Sequence, residues 1–232
     1  TPSVVTSSDA GTGIGYTSIR VRGTDPSRIN ITANGIPIND AESNVVYWVN
    51  MPDFASNLGS IQIQRGVGTS TNGCGAFGAS INMQTEDIAL KPYAEINTSG
   101  GSYGTHKATL KFGTGVLNQH WAIDGSLSNI GSNGYIRRAW SKLNYYFLQA
   151  GYFNKNTIIK FITFNGSEQT YHAWDYASKA QMDMYGRRYN PDGEYYNGTD
   201  TLYYKNQIDN YHQQNYQLLW NQILSSRWYL NI

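Results

Sequence analysis

The chain has 232 residues, enough to bury a core without staples, with 17 basic against 16 acidic side chains for a formal charge of +1. That balance offers no field for gathering nucleic acid or an anionic bilayer by charge alone, which speaks against a nucleic-acid partner. Only 14% of residues are charged, against about 25% in an average soluble domain, yet mean hydropathy is −0.50. The polarity is therefore uncharged. It comes from Asn, Ser, Thr, Gln and 19 Tyr, and with 24 Gly it favours strands and tight turns over helices. One cysteine, Cys74, permits no intramolecular disulfide, and no apolar run reaches the length of a membrane helix. A membrane β-barrel stays open, because its strands need only about ten residues of alternating pattern. Thr1-Pro2-Ser3 shows no signal-peptide pattern, so a leader is expected to be absent or already removed.

Residues 1–86 read as a compact, irregular unit of short strands. Ser18–Arg22 alternates before Gly23, and Ile29–Ala33 alternates before an Asn34-Gly35 turn, after which Ile36-Pro37-Ile38 resumes the extended chain. Pro37 predicts an edge or a strand end. Ser60–Arg65 and Ser80–Gln84 repeat the period of two on either side of a glycine-rich connection. Between Ala41 and Asn57 the pattern decides little, with Met51–Ala55 able to open a short helix. After a linker at 87–91 the grammar changes to longer strands, predicted near 92–101, 105–116, 119–131, 140–153, 157–166, 211–223 and 227–232. Lys107, Thr109, Lys111 and Gly113 alternate with Ala108, Leu110 and Phe112, and Trp121, Ile123, Gly125 and Leu127 alternate with Ala122, Asp124, Ser126 and Ser128. The tight links containing Asn118, Asn154 and Ser225 fall on one rim of such a meander. The larger ones, above all 167–210, fall on the other, which is the asymmetry of outer-membrane barrels. Trp121, Tyr145, Tyr146, Tyr152, Phe153, Trp228 and Tyr229 are candidates for an interfacial aromatic girdle.

Catalytic and metal chemistry find little support. Cys74 has no histidine near it in sequence, and His106, His120, His172 and His212 are dispersed, so neither a nucleophile nor a metal site is assigned. Asp183, Asp192, Glu194, Asp200 and Asp209 share one loop without the spacing of an acid/base pair. The run Gly66–Gly75 lacks the Lys and following helix of a phosphate-binding loop. No enzyme activity and no cofactor are expected. The loop 167–210 is far longer than an ordinary connection, and its Tyr171, Trp174, Tyr176, Tyr185, Arg187, Arg188, Tyr189, Tyr195 and Tyr196 are candidates for contact with a substrate or partner. A self-packed loop is the equal alternative.

The ordered set Ile19-Arg20-Val21-Arg22-Gly23, Arg28, Asn34-Gly35-Ile36-Pro37, Asp40, Ser60-Ile61-Gln62-Ile63-Gln64-Arg65-Gly66, Gly73, Gly75-Ala76, Gly78 and Ile81–Thr85 resembles the plug domain of TonB-dependent outer-membrane receptors. Asn34 stands where Asp is common, Val67 where Pro is usual, and Ala79 replaces the second glycine of a common pair. The resemblance implies a β-rich fold with a small α/β plug inside a transmembrane antiparallel β-barrel, 22 strands when complete and about seven of them present. Residues 1–86 would then be part of the plug, 87–91 a linker, and 92–232 the first part of the wall, with 167–210 extracellular. It implies location in the outer membrane of a Gram-negative bacterium and active uptake of a scarce nutrient by plug rearrangement. The TonB complex and outer-membrane lipid would be partners, with a small nutrient, glycan or peptide as ligand and room for an extracellular accessory protein. Arg22 and Arg65 would position the plug against wall carboxylates, none identifiable among Asp87, Glu95 and Asp124. Gly23, Gly35, Gly66, Gly73 and Gly78 would serve its turns. About seven strands make roughly a third of such a wall, so the 232 residues are expected to belong to a longer chain, incomplete at the front as well. The alternative is a surface-associated β-protein binding glycan or protein through its aromatic loop; a passive porin is disfavoured by the plug-like first region.

Overall fold

The structure, a computed structural model, describes residues 3–67 and 77–232. Gly73 and Cys74, with most of the glycine-rich run, lie outside the described residues. Strands β1 (Val4–Ser8) and β2 (Thr17–Val21) form an antiparallel pair. Strands β3 (Ile29–Ala33), β4 (Ile36–Pro37), β5 (Leu58–Arg65) and β6 (Ala79–Thr85) form a four-stranded sheet in the order β4-β3-β6-β5, with β3 and β6 parallel. Asn34 and Gly35 both take positive φ, 56° and 83°, which gives the tight turn between β3 and β4 the twist of a two-residue hairpin. Pro37 sits on the edge strand, where its missing N–H breaks no central ladder. Ala79 is completely buried at the start of β6 and accepts its Cβ without distortion of the pairing to Ile29 and Arg65. In place of the short helix expected at Met51–Ala55, single 3-10 turns form at Trp48–Asn50 and Phe54–Asn57, closed by Met51 N–H to the Trp48 carbonyl and by Ser56 N–H to the Asp53 carbonyl.

The wall is a single antiparallel meander. Strands β7 (Pro92–Gly100), β8 (His106–Thr114), β9 (Trp121–Ser132), β10 (Ser141–Phe153) and β11 (Thr157–Tyr171) follow one another. The long connection after β11 holds helix α1 (Lys179–Tyr185) and a small hairpin of β12 (Glu194–Tyr196) and β13 (Thr201–Tyr203). Strands β14 (Ile208–Ser225) and β15 (Trp228–Asn231) then complete a seven-stranded sheet. The predicted strands 157–166 and 211–223 are longer than the sequence pattern indicated, and the connection contracts from 167–210 to 172–207. Gln169, Thr170 and Tyr171 keep their ladder with Asn210, Asp209 and Ile208, but the polar run from Ser167 to Gln169 has no hydrophobic period to reveal it.

Alternation divides this sheet into two faces. Trp121, Ile123, Leu127, Phe161 and Leu218 lie exposed on the outer face, while Thr109, Asp124, Ser126, Ser128, Gln149 and Gln217 are buried on the inner face. An apolar outer band and a polar inner row are what a strand between lipid and a filled lumen requires. Tyr145 does not belong to an outer girdle. It shares the inner face with Leu143 and Phe147, is 3% exposed, and joins the core in which Phe147, Ile162 and Phe164 of the wall meet Val21, Ile29, Ile31, Met51, Phe54, Ile81 and Met83. The rings of Phe54 and Phe164 lie 4.7 Å apart. Beside them, an added Cβ at Gly166 would fall 1.9 Å from the Asn50 carbonyl oxygen, so only glycine lets the first region come this close to β11.

Polar contacts set the register of the two regions. Asp53 is 3% exposed and receives Lys107 Nζ, Ser128 Oγ, Ser56 Oγ and Thr109 Oγ1, the last at 2.8 Å. Lys111 Nζ reaches Glu86 at 2.9 Å and the Ser56 carbonyl at 2.8 Å, and Ser126 Oγ donates to Asn57 Oδ1 at 2.8 Å. Farther round, Asn34 Nδ2 donates to Gln217 Oε1 at 2.9 Å, and its Oδ1 accepts the Thr85 N–H at 3.0 Å. Burial pushes the Asp53 carboxyl up, but the Lys107 ammonium and the three hydroxyls outweigh it and hold the group below the ordinary carboxylate value.

Two outcomes are expected. Gly166→Ala drives a methyl into backbone and should destabilise docking of the first region by about 1–3 kcal/mol, read as faster proteolysis of residues 3–67 in the full-length protein. Gly101→Ala, whose Cβ would have its nearest neighbour at 3.7 Å, should leave proteolysis unchanged. Asp53→Ala leaves the partly exposed Lys107 ammonium and three hydroxyls without their acceptor and should cost about 1–3 kcal/mol. Because the Asp53 pKa is depressed on docking, its contribution is complete above the ordinary carboxylate range and is lost as pH falls through the lowered value. The wild type should therefore show acid-sensitised proteolysis below about pH 4, and Asp53→Ala should have lost that component.

Candidate functional site

The connections 101–105, 133–140 and 172–207, two of them the longest in the sheet, gather at one rim, and the turn between β1 and β2 joins them there. Tyr135 and Ile136 N–H groups donate to the Ala10 carbonyl at 2.8 and 3.1 Å, and Tyr176 OH donates to Asp9 at 2.9 Å. Burial raises the Asp9 carboxyl above its ordinary value, and the hydrogen bond to Asp9 raises the Tyr176 phenol. Asn190, 1% exposed, donates from Nδ2 to the Arg137 and His172 carbonyls and accepts the Asp192 N–H, tying the long connection to the 133–140 segment. Arg138 lays its guanidinium 3.5 Å from the Tyr203 ring centroid and donates to the Asn190 and Asp192 carbonyls. Helix α1 begins with a reciprocal Ser178/Gln181 cap.

Beneath this rim a cleft of about 1170 Å³ opens between the first region and β14. One side is chain from Ile36 to Met51, carrying Asn39, Asp40, Glu42, Tyr47 and Asn50; the other is the inward row Tyr211, Gln213, Asn215 and Gln217. Tyr16 and Trp174 close its upper end with ring centroids 5.2 Å apart and planes at 83°, and Trp174 also stacks on His172 at 3.9 Å. Tyr16 OH donates to Asp209, and burial together with that bond holds its phenol far above the ordinary value. Two cleft-lining residues each carry a buried polar atom, Asn50 Oδ1 and Asn215 Nδ2, without a hydrogen-bond partner among the described residues. The described residues lining the cleft include aromatics, amides and two carboxylates, and no Lys, Arg or His. The cleft can thus offer aromatic faces, side-chain amides and two carboxylates to a small ligand.

The loop residues singled out in the sequence divide into groups. Tyr171 is buried with its OH on the Tyr204 carbonyl at 2.8 Å, and Tyr195 stacks on Tyr204 at 4.4 Å. Tyr189 is buried, stacks on Tyr185 at 4.7 Å and donates to Glu194; burial and that carboxylate push its phenol up to about 12. Arg188 Nε donates to the Tyr135 carbonyl at 2.6 Å and its guanidinium faces the Tyr103 ring. Tyr196 is exposed and Arg187 is solvent-facing. Trp174 alone of the nine lines the cleft. Arg22 and Arg65 are exposed, and among the described residues neither pairs with a carboxylate. Asp87 instead meets Lys160 at 3.5 Å, Glu95 accepts from Asn97 and Asp124 accepts the Ala89 N–H. Gly23, Gly35 and Gly66 take positive φ, while Gly78 receives the Gly66 N–H on its carbonyl and donates its own to Arg28. Sequence reasoning missed Tyr16, Asn50, Asp53, Asp209 and the row Gln213–Gln217. Only the last carried a signal, amides recurring at period two along a strand.

Residues 1–80 match the family model of the TonB-dependent Receptor Plug Domain. No curated protein matches the chain in sequence. Among solved structures, the chain is similar to the ferric yersiniabactin uptake receptor FyuA from Yersinia pestis, with a TM-score of 0.70 and 11% identity over 100% of this chain and 35% of that one. It is similar to FpvA of P. aeruginosa bound to a heterologous pyoverdine, with a TM-score of 0.67 and 12% identity over 98% and 29%. The copper transporter OprC gives a TM-score of 0.59 and 19% identity over 73% and 26%. The chain thus spans about a third of the length of the receptors it matches. Residues 1–80 match the plug-domain model, and with the seven-stranded sheet packed against them the chain has the fold of the plug and adjoining partial barrel wall of these receptors.

Proposed function

We propose that this chain is the part of an outer-membrane transporter that seats a scarce nutrient against the plug and passes it inward when the TonB complex rearranges that plug. The observation that carries the reading is the cleft of about 1170 Å³ whose one side is plug and whose other side is wall, so that any ligand in it touches both. Residues 1–86 serve as the plug portion, 87–91 as the linker and 92–232 as wall. The rim of long connections faces the cell exterior, since short turns mark the periplasmic end of such barrels. The absence of Lys, Arg and His from the described lining favours a ligand that is uncharged or cationic where it meets these residues. Trp174 and Tyr16 supply the aromatic contact, and an accessory protein can use exposed Tyr196 and Arg187 at the rim. Arg22 and Arg65, exposed on the plug, serve as further positioning groups for carboxylates elsewhere in a complete wall.

Mass spectrometry of small molecules co-purified with the full-length receptor tests the seat. A single compound class should be retained by the wild type and reduced about tenfold or more by Trp174→Ala, a change at an exposed ring that leaves the core intact. Retention unaffected by Trp174→Ala and by Asn215→Ala together would overturn the assignment of the cleft. Replacing Arg22 and Arg65 together should weaken uptake and hasten plug proteolysis; wild-type values for both would remove their positioning role.

A further inference from the structure

Beside the cleft, at the rim end of β11 and β14, two carboxylates stand side by side with no cation paired to either among the described residues. Glu168 is 1% exposed, and among the described residues neither of its carboxylate oxygens has a hydrogen bond of good geometry, its polar neighbours being Thr170, Asp209 and Tyr16. Thr170, two residues on and on the same inner face, is 3% exposed with its Oγ1 likewise unpartnered. Asp209 lies directly opposite Thr170 in the ladder and beside Glu168. The one hydroxyl proton that the plug brings to this corner, that of Tyr16, is donated to Asp209 and so is spent. Neither carboxylate belongs to any of the four ion pairs among the described residues. A buried carboxylate without a cation or donors is strongly disfavoured, and a cluster of buried oxygens lacking donors calls for an ion, a water or a shared proton.

We infer that Glu168, Asp209, Thr170 Oγ1 and Tyr16 OH form a Ca²⁺ site that fastens the plug turn between β1 and β2 to the wall. The donors are all oxygen, which selects a hard cation over the thiolate- and imidazole-seeking metals. Two carboxylates match the charge of a divalent ion. Four protein oxygens leave room for the waters that complete six to eight ligands, and Ca²⁺, unlike Mg²⁺, tolerates the irregular arrangement that two strands and a turn provide. With so few carboxylates the site belongs in the weak class, with Kd on the order of 10⁻⁴–10⁻³ M, suited to the cell exterior. Since the Tyr16 ring also closes the upper end of the cleft, the ion holds one of the cleft's aromatic walls in place.

Terbium luminescence tests this in the full-length receptor purified in detergent, because Tb³⁺ in such a site is excited through a touching tyrosine. A saturable signal displaced by Ca²⁺ with a midpoint on the order of 10⁻⁴–10⁻³ M is expected. Glu168→Gln should weaken Ca²⁺ displacement tenfold or more, Tyr16→Phe should reduce the sensitised emission, and Thr170→Val should weaken Ca²⁺ severalfold while changing no charge. If Glu168→Gln fails to fold, Thr170→Val decides. Absence of a Ca²⁺-displaceable signal in the wild type, the result if the two carboxylates merely share a proton, would overturn the site, as would variants that retain wild-type affinity. The readout is metal binding alone, so it stands or falls separately from the nutrient taken up by the cleft.

Discussion

The carboxylate of Asp53 is the point at which plug and wall become one structure. Strands that face lipid must send their polar side chains inward, and a lumen lined with Ser, Thr, Lys and Gln cannot be filled by an apolar body without leaving those groups unsatisfied. Asp53 meets that constraint by accepting one ammonium and three hydroxyls from two wall strands and its own turn. The 3-10 turn at Phe54–Asn57 is built around it: Phe54 goes into the aromatic contact with Phe164, Ser56 turns back to the carboxylate, and Asn57 accepts Ser126. An α-helix over the same residues would have pointed these side chains around a cylinder. The tighter, irregular turn keeps them on one side, toward the wall.

The strand pattern was legible because alternation is a property of neighbours in sequence. Trp121 through Ser128 declares its two faces residue by residue, and Asn34-Gly35 declares its turn by the positive φ that both residues adopt. What could not be read was anything fixed by closure of the sheet around the plug. Tyr145 and Tyr146 are equivalent as a dipeptide, and only the register with Phe147 and Phe164 sends one into the core and leaves the other outside. Asp53 stood out as nothing more than part of a segment able to open a short helix, because its wall partners Lys107, Thr109 and Ser128 are more than fifty residues away. The aromatic loop was visible as composition, yet its division into a self-packed body and one cleft-facing ring depends on Asn190 and Arg138 gripping distant carbonyls, which composition does not encode.

Lysines supply the ionic contacts from the sheet to the first region and linker among the described residues: Lys107 and Lys111 of β8 meet Asp53 and Glu86, and Lys160 of β11 meets Asp87. For the two of β8 the physical reason lies in the strand that supplies them. Lys107 and Lys111 alternate with Ala108 and Leu110, so their ammonium groups are carried inward by the same period that turns Leu110 outward. Their long stems reach across to a turn that has only short acidic and hydroxylic side chains to offer.

These contacts grade around the wall, and the gradient bears on how the plug can move. Against β8 and β9 it is held by a buried charge pair with its hydroxyl shell; against β11 by aromatic packing and the close backbone approach at Gly166; against β14 by Tyr16 on the Asp209 carboxylate at the rim and, farther along the strand, by neutral amides, Asn34 to Gln217 and Gln217 to the Ala33 carbonyl. Breaking the first exposes an uncompensated ion in a nearly dry site, while breaking the last costs about 1 kcal/mol per exchanged hydrogen bond, since water can replace a neutral amide partner. The cleft lies on this weakly held side. A force applied to the plug would therefore open the amide contact at Gln217 before the contact with β8, and a ligand bound beside Gln217 would sit at the seam that yields first.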